Sequence, residues 1–347
     1  MVWRGLGWWW RRYINWARAP GQGQALPVHF GSRLQDGGVR YIKGFVIMAI
    51  DMRRQMGKTV CELLERDERL VVVLAEISTG YFEGVSHPER VINVGIMEQT
   101  MTSVAAGMAL EGFIPVIHSI VPFLVERPFE QIKDDFCYQQ LGGNFISTGA
   151  SYDYSTEGMT HHGSGDVQIL RSLPGMQIVV PGTSGEFDRL FRETYDNGAT
   201  TYYRLASSNN PVEFPVRFGK LEIVRRGGQA TVIAVGPMLA ATMEAVKDMD
   251  VTLLYCTTVA PFDAETLRNV CRDEQGRGSK IVLVEPYYEG VLVPDICAAM
   301  GGVPVAIETI GVPHRVLARY GTAEEHDEEL GLTVEGIRRR VEGFCQN

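Results

Sequence analysis

The sequence predicts an α/β protein made of two parallel-sheet domains, and three features of its 347 residues lead to this prediction. Short apolar runs alternate with segments of helical periodicity, which is the pattern of parallel strands joined by crossover helices. The alternation stops once, near residues 207–228, and then restarts. The length suits two domains of roughly 100–200 residues each. The composition is 45% hydrophobic and 22% charged, with a net charge of −9, which excludes low-complexity sequence and speaks against a basic nucleic-acid binder.

The first half of the chain is predicted to hold five strands and five helices. Leu70–Leu74 is apolar throughout, as expected of a strand that is buried on both faces of a sheet. Glu98–Leu110 carries Met101, Ala105 and other apolar residues on one helical stripe, and Gly112 follows as a stop signal. We predict strands over 70–74, 113–117, 145–148, 177–180 and 201–205, and helices over 56–66, 98–110, 128–140, 167–173 and 184–195.

The second half repeats the pattern after a change of texture. Residues 207–228 are rich in Ser, Asn and Pro and end in Arg225-Arg226-Gly227-Gly228, which is typical of a linker. We predict strands over 231–235, 251–255, 280–284 and 303–307, and helices over 238–248, 264–271 and 291–300. The predicted domains are therefore 41–206 and 229–347, joined by the linker 207–228 and preceded by an N-terminal extension, 1–40.

The N-terminal extension differs in character from the rest of the chain. All five tryptophans lie within the first sixteen residues, interleaved with arginines. We expect 1–40 to be poorly ordered, with Met48 or Met52 as alternative starts; a segment lying on a membrane surface is the other interpretation. No apolar run approaches the roughly 20 residues of a membrane span. The six cysteines show no zinc-ligand spacing, so we expect them to be reduced and mostly buried in a cytoplasmic protein.

Three common catalytic motifs are absent from the sequence. Gly57-Lys58-Thr59 has Met52 where a phosphate-binding loop needs glycine. Gly163-Ser164-Gly165 lacks the third glycine of a dinucleotide fingerprint, and Gly182-Thr183-Ser184-Gly185 lacks the final glycine of a serine-hydrolase elbow. The sequence therefore gives no motif support for a phosphate-binding loop, for Rossmann-type hydride transfer or for serine hydrolysis.

Several other segments occur together and carry a resemblance. They are Val91–Gln99, Glu157–Gly163, Leu173–Met176, Ile310–His314 and Tyr320–Glu325. From about Arg53 onward the chain resembles the pyrimidine-binding and C-terminal domains of the transketolase family of thiamine-diphosphate enzymes. That family includes transketolase, 1-deoxyxylulose-5-phosphate synthase and the beta subunits of 2-oxo acid dehydrogenases. The resemblance implies the α/β fold of these two domains and thiamine diphosphate as the cofactor.

The resemblance also implies cofactor-binding residues. By itself Glu98 is a carboxylate in the first turn of a helix, where the helix dipole stabilises it. In the family its position belongs to the glutamate that hydrogen-bonds the aminopyrimidine ring and supports proton removal from the cofactor. Phe123 matches the aromatic that stacks on that ring, and Ile120 stands where relatives often have a second aromatic. Ile96 and Arg127 are further candidates for the cofactor site.

Candidate substrate residues follow from the same resemblance. His161 matches the histidine that faces the substrate oxygens, a role that His162 could share, and imidazole suits proton transfer near neutral pH. Glu157 stands where transketolases usually have aspartate, and Arg54 matches a basic residue at the far end of the cleft. Ser207 and Gly149 replace an arginine and a histidine that hold sugar phosphates in relatives. We therefore expect an unphosphorylated or otherwise unusual ketose, or a 2-oxo acid.

One family signature is missing. No Gly-Asp-Gly occurs in the sequence, although the family uses this motif and a later asparagine to hold Mg²⁺ on the diphosphate. We expect no metal ligands in this chain and expect the Mg²⁺ ligands on an N-terminal transketolase-type partner subunit. An α2β2 heterotetramer follows by analogy with the family dimer.

The leading hypothesis is the C-terminal subunit of a two-component transketolase, catalytic through Glu98 and His161, that moves a two-carbon ketol unit from a ketose to an aldehyde. The alternatives are the beta subunit of a 2-oxo acid dehydrogenase, a carboligase similar to 1-deoxyxylulose-5-phosphate synthase, and a non-catalytic stabilising subunit. We expect no nucleic-acid or membrane partner.

Overall fold

The computed structural model describes residues 51–271 and 279–346. Two mostly parallel sheets with helices on both faces confirm the predicted α/β class. The predicted extension 1–40 and Met48 lie outside the described residues. Within those residues, no helix is both long enough and apolar enough to cross a membrane. All six cysteines are free thiols, but only Cys256 and Cys271 are buried, so the expectation of mostly buried cysteines is wrong.

The first domain alternates strands and helices along the chain. Its strands are β1 Leu70–Leu74, β2 Val91–Asn93, β3 Ile114–Ile120, β4 Gly143–Thr148, β5 Gln177–Val179 and β6 Thr200–Arg204. Its α-helices are α1 Met52–Leu64, α2 Glu98–Leu110, α3 Phe129–Gln131, α4 Asp166–Leu170 and α5 Ser184–Thr194. Shorter turns are 3₁₀-helical at Thr79–Phe82, Pro88–Arg90 and Ser155–Thr160, and π-helical at Pro122–Glu126 and Ile132–Cys137.

The second domain follows the same plan. Its strands, including one that joins the first sheet, are β7 Leu221–Arg225, β8 Thr231–Val235, β9 Thr252–Cys256, β10 Thr258–Ala260, β11 Ser279–Tyr288 and β12 Val305–Val312. Its α-helices are α6 Leu239–Ala245, α7 Ala264–Cys271, α8 Val293–Met300, α9 Ala323–Leu330 and α10 Val334–Gln346, and Gly236–Met238 is a 3₁₀ turn.

The strand order positions a crevice in the first sheet. The order is β10-β5-β6-β4-β3-β1-β2, and the second sheet runs β12-β11-β8-β9-β7. From β1 the chain goes to β2 on one side and then crosses to β3 on the other, so the connections change direction between β1 and β3. In open parallel sheets such a switch point, at the carboxyl ends of the strands, is where ligands bind.

Burial explains why the central strands could be predicted from their composition. Every residue of β1 is buried, as is every residue of β8. Val72 packs into one hydrophobic cluster and Val73 into the other, because successive side chains of a strand point to opposite faces. Both faces of the sheet are thus covered by helices, and the strand sequence is apolar throughout rather than alternating.

Among the elements that differ from the prediction, three have a clear physical reason or consequence. Helix α1 begins at Met52 rather than at residue 56, because the Asp51 side chain caps it by accepting the Arg54 amide at 3.0 Å. The helix predicted over 128–140 is instead α3 followed by a π-helical turn. The segment predicted as linker contains β7, which pairs antiparallel with β9 at the edge of the second sheet.

The two sheets are connected by a strand that short-range patterns did not reveal. Strand β10 follows β9 of the second domain but pairs antiparallel with β5 of the first. Nearby, the Tyr255 hydroxyl donates to the buried Glu186 carboxylate across 2.6 Å. The two domains therefore share backbone and side-chain hydrogen bonds, in addition to apolar contacts.

Candidate active site

The predicted site residues lie beyond the carboxyl ends of β2, β3 and β4. Glu98 follows β2, Phe123 and Arg127 follow β3, and His161 lies in the connection after β4. These are neighbouring parts of one sheet edge, on the side of the switch point between β1 and β3. The topology therefore brings together residues that are up to 63 positions apart in the sequence.

Glu98 is the first residue of α2 and its side chain is buried, with 2% of the residue exposed. The turn before it is held by Asn93, whose Oδ1 accepts the Gly95 amide at 3.0 Å. Gly95 has a φ of 77°, a conformation that favours glycine. The turn directs the chain so that a carboxylate lies in the first turn of a helix, where the dipole stabilises negative charge.

Arg127 pairs with this buried carboxylate. Its Nη1 donates to Oε1 and to Oε2 of Glu98, each across 2.7 Å. The Arg127 guanidinium also lies 4.3 Å from the centroid of the Phe123 ring, a cation–π contact. Phe123 lies in the π-helical turn and Arg127 caps its end, where the Arg127 amide donates to the Pro122 carbonyl at 3.1 Å. The wider π turn places Phe123 and Arg127 side by side, and such turns are frequent at functional sites.

His161 lies on the other side of Phe123. The two rings meet edge to face with centroids 5.1 Å apart, and the Tyr154 ring is 6.5 Å away. Burial lowers the pKa of His161 below its usual value; Glu157 acts in the opposite direction and Arg127 lowers the pKa further. The imidazole is therefore neutral at pH 7, with one nitrogen able to accept a proton.

His162 occupies a different environment from His161. Its ring is buried, faces the His326 ring at a centroid distance of 5.6 Å, and has both nitrogens without a partner among the described residues. Burial lowers the pKa of His162, and His326 and His161 lower it further. It lines a cavity of about 130 Å³ together with Glu126, Met159, Ser164, Gly165, Ile169, Tyr288, Arg315 and Leu317. The two histidines thus face different surroundings.

The other predicted site residues contact the group around Glu98 less directly or not at all. Glu157 is half-buried and acts on His161 electrostatically. Ile120 is buried, whereas Ile96 is 63% exposed beside the start of α2. Arg54 and Ser207 are exposed, and the Ser207 amide donates to Asp153 Oδ2 at 2.8 Å rather than contacting the group around Glu98.

A polar network that was missed from the sequence lies beyond β1 and β3. The Arg53 Nε donates to Ser78 Oγ at 2.8 Å, and Ser78 Oγ is 2.8 Å from Nε2 of His118. Nδ1 of His118 lies 2.7 Å from the Ile146 carbonyl, so it carries the proton and Nε2 accepts from Ser78. Burial, together with the nearby charge of Arg53, lowers the pKa of His118 to about 3.

Of the two adjacent arginines of α1, Arg53 joins this network, whereas Arg54 is exposed. Adjacent arginines are indistinguishable by composition, and only the helical phase separates them. The left-handed backbone of Ser78, with φ of 66°, is likewise invisible to pattern analysis. Among the described residues, no cluster of three or more His, Cys, Asp or Glu side chains has the geometry of a metal site.

Two family models match the chain in succession. The transketolase pyrimidine-binding domain matches residues 48–210, and the transketolase C-terminal domain matches residues 219–337.

Individual proteins show the same relationship. An uncharacterized 33.6 kDa protein in the fasciation locus of Rhodococcoides fascians is 38% identical, over 85% of this chain and 95% of that protein. A 1-deoxy-D-xylulose-5-phosphate synthase of Synechococcus sp. (strain JA-3-3Ab) is 31% identical over 82% of this chain but only 46% of the synthase. The chain therefore spans about half the length of the synthases that it matches.

Solved structures of transketolases are similar to the chain as well. A structure described as a split gene transketolase, inactive beta4 tetramer, is similar with a TM-score of 0.73 and 26% identity, over 86% of this chain and 99% of that one. The transketolase of Campylobacter jejuni has a TM-score of 0.71 at 15% identity, over 85% of this chain and 47% of its own, and supports the fold alone.

Proposed function

The chain belongs to the transketolase family, and from this premise we propose that it is the C-terminal subunit of a two-component thiamine-diphosphate-dependent transketolase. In this proposal it transfers a two-carbon ketol unit from a ketose to an aldehyde in carbohydrate metabolism. The observation that carries the proposal is the grouping of Glu98, Phe123, Arg127 and His161 at one sheet edge. Three of these are the residues that the resemblance assigns to ring binding and proton transfer.

The residues present fit the pyrimidine end of thiamine diphosphate. Glu98 offers a buried carboxylate as hydrogen-bond partner for a ring nitrogen, and Phe123 offers a half-buried ring for stacking. When bound, the cofactor supplies the thiazolium carbon that takes up the two-carbon unit. Arg127 donates to both oxygens of Glu98 and orients the carboxylate within the crevice.

His161 is the proposed proton carrier for the substrate. Its neutral ring, between Phe123 and Tyr154, is able to take a proton from a substrate hydroxyl and return it. Its Nδ1 lies 3.0 Å from the Thr160 hydroxyl, which fixes the ring orientation and leaves Nε2 as the nitrogen that faces substrate. Glu157 favours the protonated form of this ring and so adjusts its basicity.

We propose that a separate N-terminal transketolase-type subunit completes the site. This subunit would carry the Gly-Asp-Gly motif, the ligands of Mg²⁺ and the diphosphate contacts, in an α2β2 assembly. Support comes from the apolar rim of the crevice: Ile96 and Met97, directly before Glu98, are 63% and 51% exposed, and Met159 is 45% exposed. Exposed apolar side chains around a buried acid suit a surface that a partner covers.

The test is reconstitution with the Gly-Asp-Gly-containing protein that copurifies with the chain. The complex should consume a ketose donor in a panel that includes unphosphorylated ketoses and should bind thiamine diphosphate with Mg²⁺. Glu98→Gln should lower turnover by at least 100-fold, while Glu111→Gln, at the exposed opposite end of the same helix, should not. Full activity of Glu98→Gln, or turnover by the isolated chain, would refute the proposal.

A second candidate function is a carboligase that starts from a 2-oxo acid. The relatives named as 1-deoxy-D-xylulose-5-phosphate synthases and the serine at position 207 favour it. Pyruvate with an aldehyde acceptor, followed by carbon dioxide release, distinguishes this reaction from ketol transfer. Pyruvate-driven reduction of a lipoyl domain would instead identify a 2-oxo acid dehydrogenase subunit.

A further inference from the structure

We propose that Arg204 is a positioning residue that fixes both ends of the loop carrying His161. The loop, residues 151–163, begins at Ser151 and ends at Gly163. The proposal rests on the function proposed above for His161, which Arg204 itself does not contact among the described interactions. It assigns a role to the last residue of β6, a buried arginine.

Arg204 forms hydrogen bonds with both ends of the loop. It is fully buried, with 1% of the residue exposed. Its Nη2 donates to Ser151 Oγ at 2.8 Å and to the Gly163 carbonyl at 3.4 Å, so one nitrogen joins the two ends. The ends are also joined directly, because the Gly163 amide donates to the Ser151 carbonyl at 2.7 Å. Separation of the loop ends would break all three contacts together.

The guanidinium is itself held in place. Its Nε donates to Asp166 Oδ2 at 2.7 Å, and the Tyr202 hydroxyl donates to the same oxygen at 2.7 Å. Asp166 is fully buried, so this is a buried ion pair whose charges compensate each other. Arginine suits the position because its planar fork binds the carboxylate and the loop in fixed directions, whereas a lysine ammonium is a single point charge.

The loop between these ends contacts the second domain instead. The Ser155 hydroxyl donates to the Gly321 carbonyl at 2.8 Å, and the Tyr152 hydroxyl donates to Asp327. Gly158 lies so close to Tyr320 that an added Cβ would be 2.6 Å from its ring. These contacts fix the middle of the loop, and Arg204 fixes its two ends. Together they position His161 beside Phe123.

The experiment compares Arg204→Lys with two other variants of the full chain. Lysine keeps the positive charge beside Asp166 but loses the fork that reaches Ser151 and Gly163. Ser151→Ala removes the hydrogen bond from Arg204 Nη2, together with the bond that the Ser151 hydroxyl donates to the Pro286 carbonyl, and keeps the ion pair intact. Arg192→Lys is the matched control, since Arg192 pairs with Glu62 and Asp188 on helices α1 and α5, away from the loop.

Two readouts are required. In the isolated chain, hydrogen exchange of the Gly163 amide should accelerate at least 10-fold in Arg204→Lys and in Ser151→Ala, while amides of β8 keep their protection. In the reconstituted complex, kcat should fall at least 10-fold, whereas the affinity for thiamine diphosphate, which Glu98 and Phe123 supply from outside the loop, should stay constant. Arg192→Lys should change neither readout.

The outcomes separate this proposal from the proposed function. If the wild-type complex shows no transfer activity, the proposed function fails, and the exchange measurement alone decides the role of Arg204. If the wild-type complex is active but Arg204→Lys and Ser151→Ala keep wild-type exchange at Gly163, positioning by Arg204 is refuted. Equal losses in Arg192→Lys, or a kcat loss in Arg204→Lys with an equal loss of cofactor affinity, would also refute it.

Discussion

Replacement of Glu285 by glutamine should change the pH dependence of folding stability. Glu285 lies in β11, is fully buried, and receives backbone N–H bonds from Gly290 at 2.6 Å and from Leu292 at 3.1 Å. Burial raises the pKa of its carboxyl from 4.5 to about 8, although these amide bonds act in the opposite direction. The protonated form is therefore the favoured form in the folded protein near neutral pH.

The sign and the size follow from proton linkage. In the unfolded chain Glu285 ionises near its ordinary value of 4.5, whereas in the folded chain it retains its proton up to about pH 8. The stability that the protonated Glu285 carboxyl contributes to the folded protein is thus fully present below pH 4.5 and is lost progressively as the pH rises to 8. The interval from 4.5 to 8 is about 3.5 pH units, which at about 1.36 kcal/mol per unit gives a loss of about 5 kcal/mol.

Glutamine keeps an acceptor oxygen for one of the two amides, because Gly290 donates to Oε2 and Leu292 to Oε1 of Glu285, and it has no proton to lose. The measurement is urea unfolding of the isolated chain between pH 5 and pH 9, followed by far-ultraviolet circular dichroism. The free energy of unfolding of Glu285→Gln, relative to that of the wild type, should rise by up to about 1.4 kcal/mol per pH unit. Glu289→Gln, four residues along the chain, is the matched control and should follow the wild type. Parallel stability curves for wild type and Glu285→Gln over this range would show that the carboxyl is ionised in the folded state and refute the reasoning.

Two further predictions concern the candidate site. Arg127→Met removes the partner of the buried Glu98; because the arginine side chain is 39% exposed, we expect a loss of about 1–2 kcal/mol in urea unfolding rather than the 3–5 of a fully buried pair. Adding Glu98→Gln should recover most of this loss, and an additive double variant would contradict the pairing. His161→Gln should lower kcat of the complex by about 10²–10⁴-fold, and His162→Gln should lower it far less. Because the pKa of His161 is lowered, wild-type kcat/KM should stay level from pH 8 to pH 7 and fall only as the pH drops below 6.5; a fall that begins above pH 7 would contradict the neutral imidazole.

The sequence predicted those elements whose formation depends on local composition and burial. Strands β1 and β8 and helices α2 and α7 have the predicted bounds, because a buried parallel strand is apolar throughout and an amphipathic helix ends at recognisable signals. At the end of α2, Gly112 takes a φ of 88°, as expected of a glycine that stops a helix. In the candidate site, the resemblance named Glu98, Phe123 and His161, Arg127 was a further candidate, and the structure brings these four together.

The features that the sequence did not reveal depend on small differences in backbone geometry. The π-helical turn at Pro122–Glu126 inserts one residue more per turn than an α-helix, and no composition rule announces this. The same limit applies to Arg53 and Arg54, since one helical step of about 100° decides which of them reaches Ser78. Strand β10 was missed because three residues are too few to show periodicity, and its pairing with β5 is a tertiary contact.

The loop that carries His161 shows why a motif can single out a candidate site residue without explaining its placement. The motif around His161 spans a few neighbouring residues, but the partners that hold its loop lie far along the chain. Tyr152 bonds Asp327, which is 175 positions away, and Ser155 bonds Gly321, which is 166 positions away. Because these contacts come from the second domain, that domain acts on the site without supplying a residue to the group around Glu98. The Ser164 carbonyl accepts the Tyr288 amide at 2.9 Å, so the segment just after the loop is also bonded to β11. Hydrogen bonds from the second domain thus hold the loop that carries one histidine of the first.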